Sequence, residues 1–468
     1  MVFTSPIFLF YFLPLVLAGY YALPRSQRNT FLALSSYVFY GWWNPWYVFL
    51  MLGSTVVDWF CGIAITREGA TEGQRRAGVA TSVAVNLGLL GFFKYSMFFQ
   101  ENWLRLSESL GGPSFSPLVV LLPVGISFYT FQSMSYSIDL YRGHATRADH
   151  FRDFLCYVAM FPQLVMGPIV RYRELADQLR DRPHRGELFH LGVLNFMIGF
   201  AKKVLIANTM GETVDVVFES GALPAHVAWF GTFAFGMQIY FDFSGYSDMA
   251  IGLGQMLGFS LPLNFRSPYH SRSYTEFWQR WHLSLSQWLR DYLYIPLGGN
   301  RHGAWKTYRN LFLVMVLGGF WHGAQWNMVV FGLCMGILLA GERMLRDRIS
   351  WRPPRLVGLL YFTIVFQLLW GVFRTEDMAD AGRFLSAMFA GTGDLAARAV
   401  TTARVYTPFQ LGAMGVACAL VYAGVRTEYL VPRIARSLPL AVGLFALFAV
   451  SVVWMFAQSE APFIYFQF

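Results

Sequence analysis

Long apolar stretches alternate with short arginine-rich segments along the whole chain, and that alternation predicts a series of membrane-spanning helices. The stretch around which the rest is organised is 310–342, whose middle reads GGFWHGAQWN (318–327). At 1.5 Å rise per residue it is long enough to cross about 30 Å of hydrocarbon with residues to spare. His322 interrupts it. An ionisable ring at that depth marks a functional site, or else serves as polar glue to a neighbouring helix. Gly318, Gly319 and Gly323 thin the helix wall beside it, so another backbone, a file of water or a substrate could come close.

The same pattern read from the N-terminus predicts a first span over 2–23. No lysine or arginine precedes it and Arg25 and Arg28 follow it, the reverse of a signal peptide, so it is read as retained. Segments 30–42 and 46–65 form a hairpin around Asn44-Pro45; 77–99 then leads out and 117–138 leads back. Segment 153–170 is barely long enough to span, contains Pro162 and Gly167-Pro168, and lies between basic loops, so it is expected to dip in and return. Segment 189–218 carries Lys202 and Lys203, read as snorkelling residues or a charged lining. Segment 229–257 holds YFDFSGYSDMA (240–250), where Asp242, Tyr246 and Asp248 make a surface too polar to face lipid. Between 261 and 309, TEFWQRWHLSLSQWLRDYLYIPLGGNR reads as one amphipathic interfacial helix, capped by Thr275, carrying His282 and ended by Gly298-Gly299-Asn300. The 310–342 run bends near Gly318-Gly319 or returns to the face it came from; the pattern leaves both open. Spans at 356–373, 406–425 and 438–458 complete an all-α polytopic protein with about ten to twelve transmembrane helices plus re-entrant and interfacial pieces. It is read as one membrane domain: N-terminal spans 1–138, a core at about 153–342, and C-terminal spans 356–468.

Composition excludes the other broad classes. Of 468 residues, 55% are hydrophobic, 18% aromatic and only 13% charged, too little charge to clothe a soluble globule of this size. The net charge of +9 sits mostly in short loops, including one with Arg343, Arg346, Arg348, Arg352 and Arg355. Orientation by positive charge produces that distribution, so it does not point to nucleic acid. The same rule places both termini outside. Cys61, Cys156, Cys334 and Cys418 are solitary in apolar surroundings and suggest neither a disulfide framework nor a zinc site. His282 and His322 lack a third ligand at metal-site spacing, so no metal is expected.

Five runs carry a family resemblance: FQSMSYSIDLYRG (131–143), FPQLVMGPIVRY (161–172), YFDFSGYSDMAIGLGQMLGF (240–259), NFRSPYHSRSYTEFWQRWHLSLSQWLRDYLYIPLGGNR (264–301) and GGFWHGAQWN. Together they resemble the membrane-bound O-acyltransferases, in particular the bacterial branch that acetylates exported polysaccharides such as alginate and cellulose. The resemblance implies that His322, in the W-H-G run, is the catalytic histidine. It implies a second polar position at His282, in the F-W-x-R-W-H pattern. It also implies acetyl-CoA as a cytoplasmic acyl-donor substrate, with no bound cofactor, and a periplasmic or membrane-anchored acetyltransferase partner beyond the bacterial inner membrane.

The residues themselves fit that chemistry. Moving an acetyl group from a thioester to an alcohol needs a base for the hydroxyl proton or a nucleophile that holds the acyl group, and histidine can do either. Asp242 and Asp248 are candidates to orient a ring or line a channel, Tyr246 to donate to the acyl oxygen, and Trp321 and Asn327 flank His322. Arg266, Arg272, Arg280, Arg290 and Arg301 are available to meet the phosphates of coenzyme A, or simply set topology. Two other readings are D-alanyl or other acyl transfer from a carrier protein, and a polysaccharide transporter built on broken helices.

Overall fold

The computed structural model of the chain describes residues 1–349 and 353–458; Arg352 and the C-terminal FIYFQF lie outside the described residues. Among the described residues the structure is helical throughout, with no strand. The chain forms two compact units, Met1–Val193 with Ala250–Pro262, and Leu194–Met249 with the residues from Leu263 onward.

The first unit contains α1 (Phe8–Ala22), α2 (Arg25–Gly41), α3 (Trp46–Thr66), α4 (Glu72–Ser109), α5 (Ile126–Tyr141), α6 (Phe151–Ala159), α7 (Phe161–Leu164) and α8 (Tyr172–Arg180). The predicted hairpin at Asn44-Pro45 is present between α2 and α3, with Asn44 Oδ1 accepting the Trp46 N–H at 3.0 Å. The 153–170 segment resolves into α6 and α7, each too short to cross a bilayer. Phe161 from this broken stretch packs into the rings of Phe8, Phe12 and Phe39 at 5.3–6.1 Å. Buried Arg182 ties the end of α1 to α2, donating to the Tyr20 hydroxyl at 2.7 Å and to Asn29 Oδ1 at 2.8 Å.

Two long helices, α9 (Gly186–Phe218) and α10 (Ala225–Met256), contain the divides between the units. The second unit continues with α11 (Tyr274–Trp278), α12 (Leu283–Leu289), α13 (Ala304–His322), α14 (Trp326–Arg348), α15 (Arg355–Arg374), α16 (Met378–Ala390), α17 (Leu395–Val405), α18 (Pro408–Tyr422), α19 (Thr427–Ala435) and α20 (Leu438–Ala457).

By length and composition six described helices can cross a membrane: α3, α4, α9, α14, α15 and α20. The count is seven if α17 and α18, bent by 59°, make one span. This is fewer than the ten to twelve expected from hydropathy, for local reasons. The first segment is helical only from Phe8 to Ala22. The 117–138 segment becomes helical only at Ile126, after Pro123, whose carbonyl accepts the Ile126 N–H at 3.1 Å. α10 has the length but carries the polar YFDFSGYSDMA surface.

The largest departure is in the 310–342 run, which is not one crossing helix. α13 ends at His322, Gly323 and Gln325 are extended, and α14 starts at Trp326. The two helices form an antiparallel hairpin whose register is set by small residues. A Cβ added to Gly319 would lie 2.5 Å from the Met328 carbonyl oxygen and 2.7 Å from Gly332 Cα, and one on Gly336 would meet Phe312. The entry and exit of this segment are therefore on the same side, one of the two paths the pattern left open. Gly318 points elsewhere, with only Leu289 Cδ1 at 3.6 Å. Gly319→Ala is thus expected to cost about 1–3 kcal/mol by forcing two backbones apart, while Gly318→Ala is tolerated. Comparing the melting temperatures of the two variants in mild detergent checks this.

Candidate active site

His322 is the last residue of α13, at the turn of the hairpin, and is 6% exposed. Its ring stands 5.0 Å from Trp321 and 5.9 Å from Phe373 of α15, both near edge-on. Phe373 is held by Phe331 at 5.0 Å and Trp370 at 5.2 Å, so a packed aromatic wall fixes the orientation of the imidazole from one side. Asn327 is fully buried and ties the start of α14 to the end of α15 by donating to the Thr375 carbonyl.

His282 does not lie on an amphipathic helix at an interface. The expected single helix is broken into α11 and α12, and His282 sits at the break with φ 43° and ψ 57°, in the left-handed region. A non-glycine residue there is uncommon, though histidine tolerates it better than most, and it costs about 1–3 kcal/mol unless its surroundings hold it. Asn264 does so: its carbonyl accepts the Leu283 N–H at 3.0 Å, and its Oδ1 accepts the Ser284 hydroxyl at 2.7 Å. The start of α11 is capped by Ser273, whose hydroxyl accepts the Glu276 N–H at 3.1 Å, rather than by Thr275. Glu342 of α14 reinforces it, accepting the Tyr274 and Thr275 N–H groups at 2.7 and 2.9 Å.

The strained turn buries the His282 side chain completely. Its ring lies 4.6 Å from Phe243 of α10 and 6.3 Å from Trp321, and neither ring nitrogen has a hydrogen-bond partner among the described residues. Burial, with a smaller contribution from His322, holds it well below the ordinary imidazole range, so the ring is neutral. Trp321 neighbours both histidines, which brings together two rings 40 residues apart in sequence.

The polar face of α10 is organised by α9. Lys203 Nζ lies 2.7 Å from Asp242 Oδ1, with the two side chains 5% and 2% exposed. Lys202 Nζ lies 2.7 Å from Asp248 Oδ2 and 2.8 Å from the Thr427 hydroxyl. The lysines are therefore not snorkelling to an interface; they are the counterions of the acids. Two local features allow this. A π-helical turn begins at Lys202 and runs to Ala207, altering the angular spacing of the helix where both lysines leave it. Gly199 and Gly245 let the backbones touch: a Cβ on Gly245 would sit 2.7 Å from the Gly199 carbonyl oxygen. Tyr246, also buried, lies on the same stretch of α10.

The candidate donor-binding arginines divide. Arg280 is paired with Glu276 at 2.8 Å and Arg290 with Asp291 at 2.7 Å, while Arg266, Arg272 and Arg301 are exposed. Among the described residues no group of three or more His, Cys, Asp or Glu residues is placed to hold a metal ion.

Asn264, Ser284, Phe243, Phe373 and Glu342 were not singled out from the sequence.

The site brings two imidazoles together in an aromatic enclosure. Comparison with known proteins gives it a context. The profile of MBOAT, the membrane-bound O-acyltransferase family, matches residues 51–369, a stretch that includes both histidines. The chain is 41% identical over 492 residues to the "Probable alginate O-acetylase AlgI" of Pseudomonas putida, and 40% identical over 501 residues to the protein of that name from Azotobacter vinelandii, with 100% of each chain covered in both cases. To the peptidoglycan O-acetyltransferase of Helicobacter pylori it is 34% identical, over 84% of this chain and 80% of that one. The chain belongs to the membrane-bound O-acyltransferase family and is a multi-pass membrane acyltransferase.

Proposed function

We propose that this protein moves acetyl groups from cytoplasmic acetyl-CoA through the bacterial inner membrane to an exported polysaccharide of the alginate or cellulose type, with an acetyltransferase partner on the far side. The observation that carries the reading is the placement of His322: a buried imidazole at the tip of a helical hairpin, walled by Trp321 and Phe373, with His282 beyond Trp321. Full-length similarity to proteins named for alginate O-acetylation supports the choice of polymer.

In the transfer, a nitrogen of His322 takes the proton of the accepting hydroxyl as its oxygen attacks the thioester carbonyl. The carbon–sulfur bond breaks, and the departing thiolate takes up the proton. His282 is neutral and enclosed, and serves to position Trp321 and the space in front of His322. Asp242 acts on the site through α10, held in place by Lys203. The exposed Arg266, Arg272 and Arg301 are the remaining cations for the donor's phosphates.

The test is purified protein in lipid nanodiscs with its polysaccharide and radiolabelled acetyl-CoA. Label appearing in the polymer when the partner is added is the expected result. Label transferred only from an acylated carrier protein would overturn the donor assignment and favour D-alanyl-type chemistry, and an absence of thioester consumption with the partner and polymer present would overturn the enzyme mechanism.

A further inference from the structure

A groove of about 910 Å³ lies between α9 and α10 on one wall and α18, α19 and α20 on the other. Its volume is at the upper end of pockets that hold a small organic ligand, yet its lining is almost wholly apolar. From α20 it takes Leu440, Gly443, Leu444, Leu447, Val450 and Trp454, the three-to-four-residue spacing of one helix face. α20 is the most apolar of the six span-length helices and the least enclosed, with only 11% of its apolar stretch buried. A helix of that kind in a membrane protein faces lipid.

Two glycines keep the groove open. Gly412 of α18 and Gly443 of α20 both line it, and a Cβ added to either would meet nothing within 4 Å. They do not bring helices together as Gly319 does; they leave room. The helices close at one end, where the Phe409 and Trp454 rings lie 5.3 Å apart. The other end is polar and basic. Lys202 and Thr427 line it, and Arg433 and Arg436, in the same stretch as the lining residues Leu430 and Ile434, are exposed and have no carboxylate partner among the described residues.

We propose that this groove binds an anionic phospholipid of the surrounding bilayer. One acyl chain lies along α20, and the headgroup phosphate meets Arg433 and Arg436. The dimensions fit: the 14 steps from Leu440 to Trp454 span about 21 Å of helix, more than half of a hydrocarbon core of about 30 Å, the depth a chain from one leaflet reaches. The chemistry fits as well, because an apolar space open to hydrocarbon does not hold water, and lipid tails are the apolar groups present around it. Clustered basic residues beside a membrane helix favour anionic over zwitterionic headgroups.

The test uses the full chain, purified in mild detergent, stripped of lipid, and re-exposed to an equal mixture of phosphatidylglycerol and phosphatidylethanolamine before native mass spectrometry. One retained phosphatidylglycerol per chain is expected. Gly443→Leu alone, and Gly412→Leu with Gly443→Leu, should lower retention by about ten-fold or more with the melting temperature unchanged or raised. Arg433→Gln with Arg436→Gln should keep a lipid but lose the preference for phosphatidylglycerol. Equal retention by the filled-groove variants overturns the proposal. So does a chain that retains no lipid, or one that forms a dimer which the leucine substitutions abolish, since the occupant is then a second copy of the protein. The readout is lipid mass, so it is independent of the acyl-transfer assignment.

Discussion

Replacing His322 with alanine is expected to lower acyl transfer by on the order of a hundred- to ten-thousand-fold, the range contributed by a positioned general acid–base group, while the folded protein accumulates at its normal level. The structure separates the two effects. The hairpin is held by Gly319 against Met328 and Gly332, and the start of α14 by Asn327 against Thr375; neither contact passes through the imidazole. A truncated side chain removes the proton acceptor without removing the register. The measurement is transfer rate per folded molecule, with size-exclusion profile and melting temperature as controls. If His322→Ala transfers at the unaltered rate, the hairpin tip is not the reacting centre, and His282 would be the next ring to test.

Breaking the Lys203–Asp242 pair is expected to be the most damaging change to stability. Both side chains are almost fully enclosed and their charged atoms are 2.7 Å apart, so Asp242→Asn strands a buried cation and Lys203→Met strands a buried carboxylate. Removing one partner of such a pair costs about 3–5 kcal/mol, whereas replacing both by apolar residues of similar size is often neutral or stabilising. The double variant Lys203→Met with Asp242→Leu should therefore recover most of the melting temperature lost by either single one. A lysine snorkelling to an interface would behave differently: its replacement by methionine would leave stability unchanged. The double variant also isolates the role of Asp242, because a folded protein without the carboxylate that still transfers acyl groups makes the pair an organiser of α10 and not part of the chemistry.

The membrane class, the all-helical fold, and most of the long apolar helices were legible in one dimension, because hydrophobic runs of sufficient length and loops of clustered arginine are local properties of the chain. The family motifs were legible for the same reason, and they brought out His322 and His282 directly. What could not be read was where helices stop within apolar stretches. α13 and α14 look like one run until Gly319 is seen to rest against Gly332, and the α11–α12 break at His282 depends on Asn264, 18 residues upstream, holding a left-handed turn. The lysines at 202 and 203 were visible, but their role was not. A charge in a hydrophobic segment has the same sequence whether it reaches water or a carboxylate on another helix, and the π-helical turn from Lys202 to Ala207 together with the close contact of Gly199 with Gly245 decides between them. Sequence by itself determined which segments leave water and which side chains could react. Tertiary structure decided which of those side chains meet, because the energy of a buried ring or ion depends on partners contributed by distant parts of the chain.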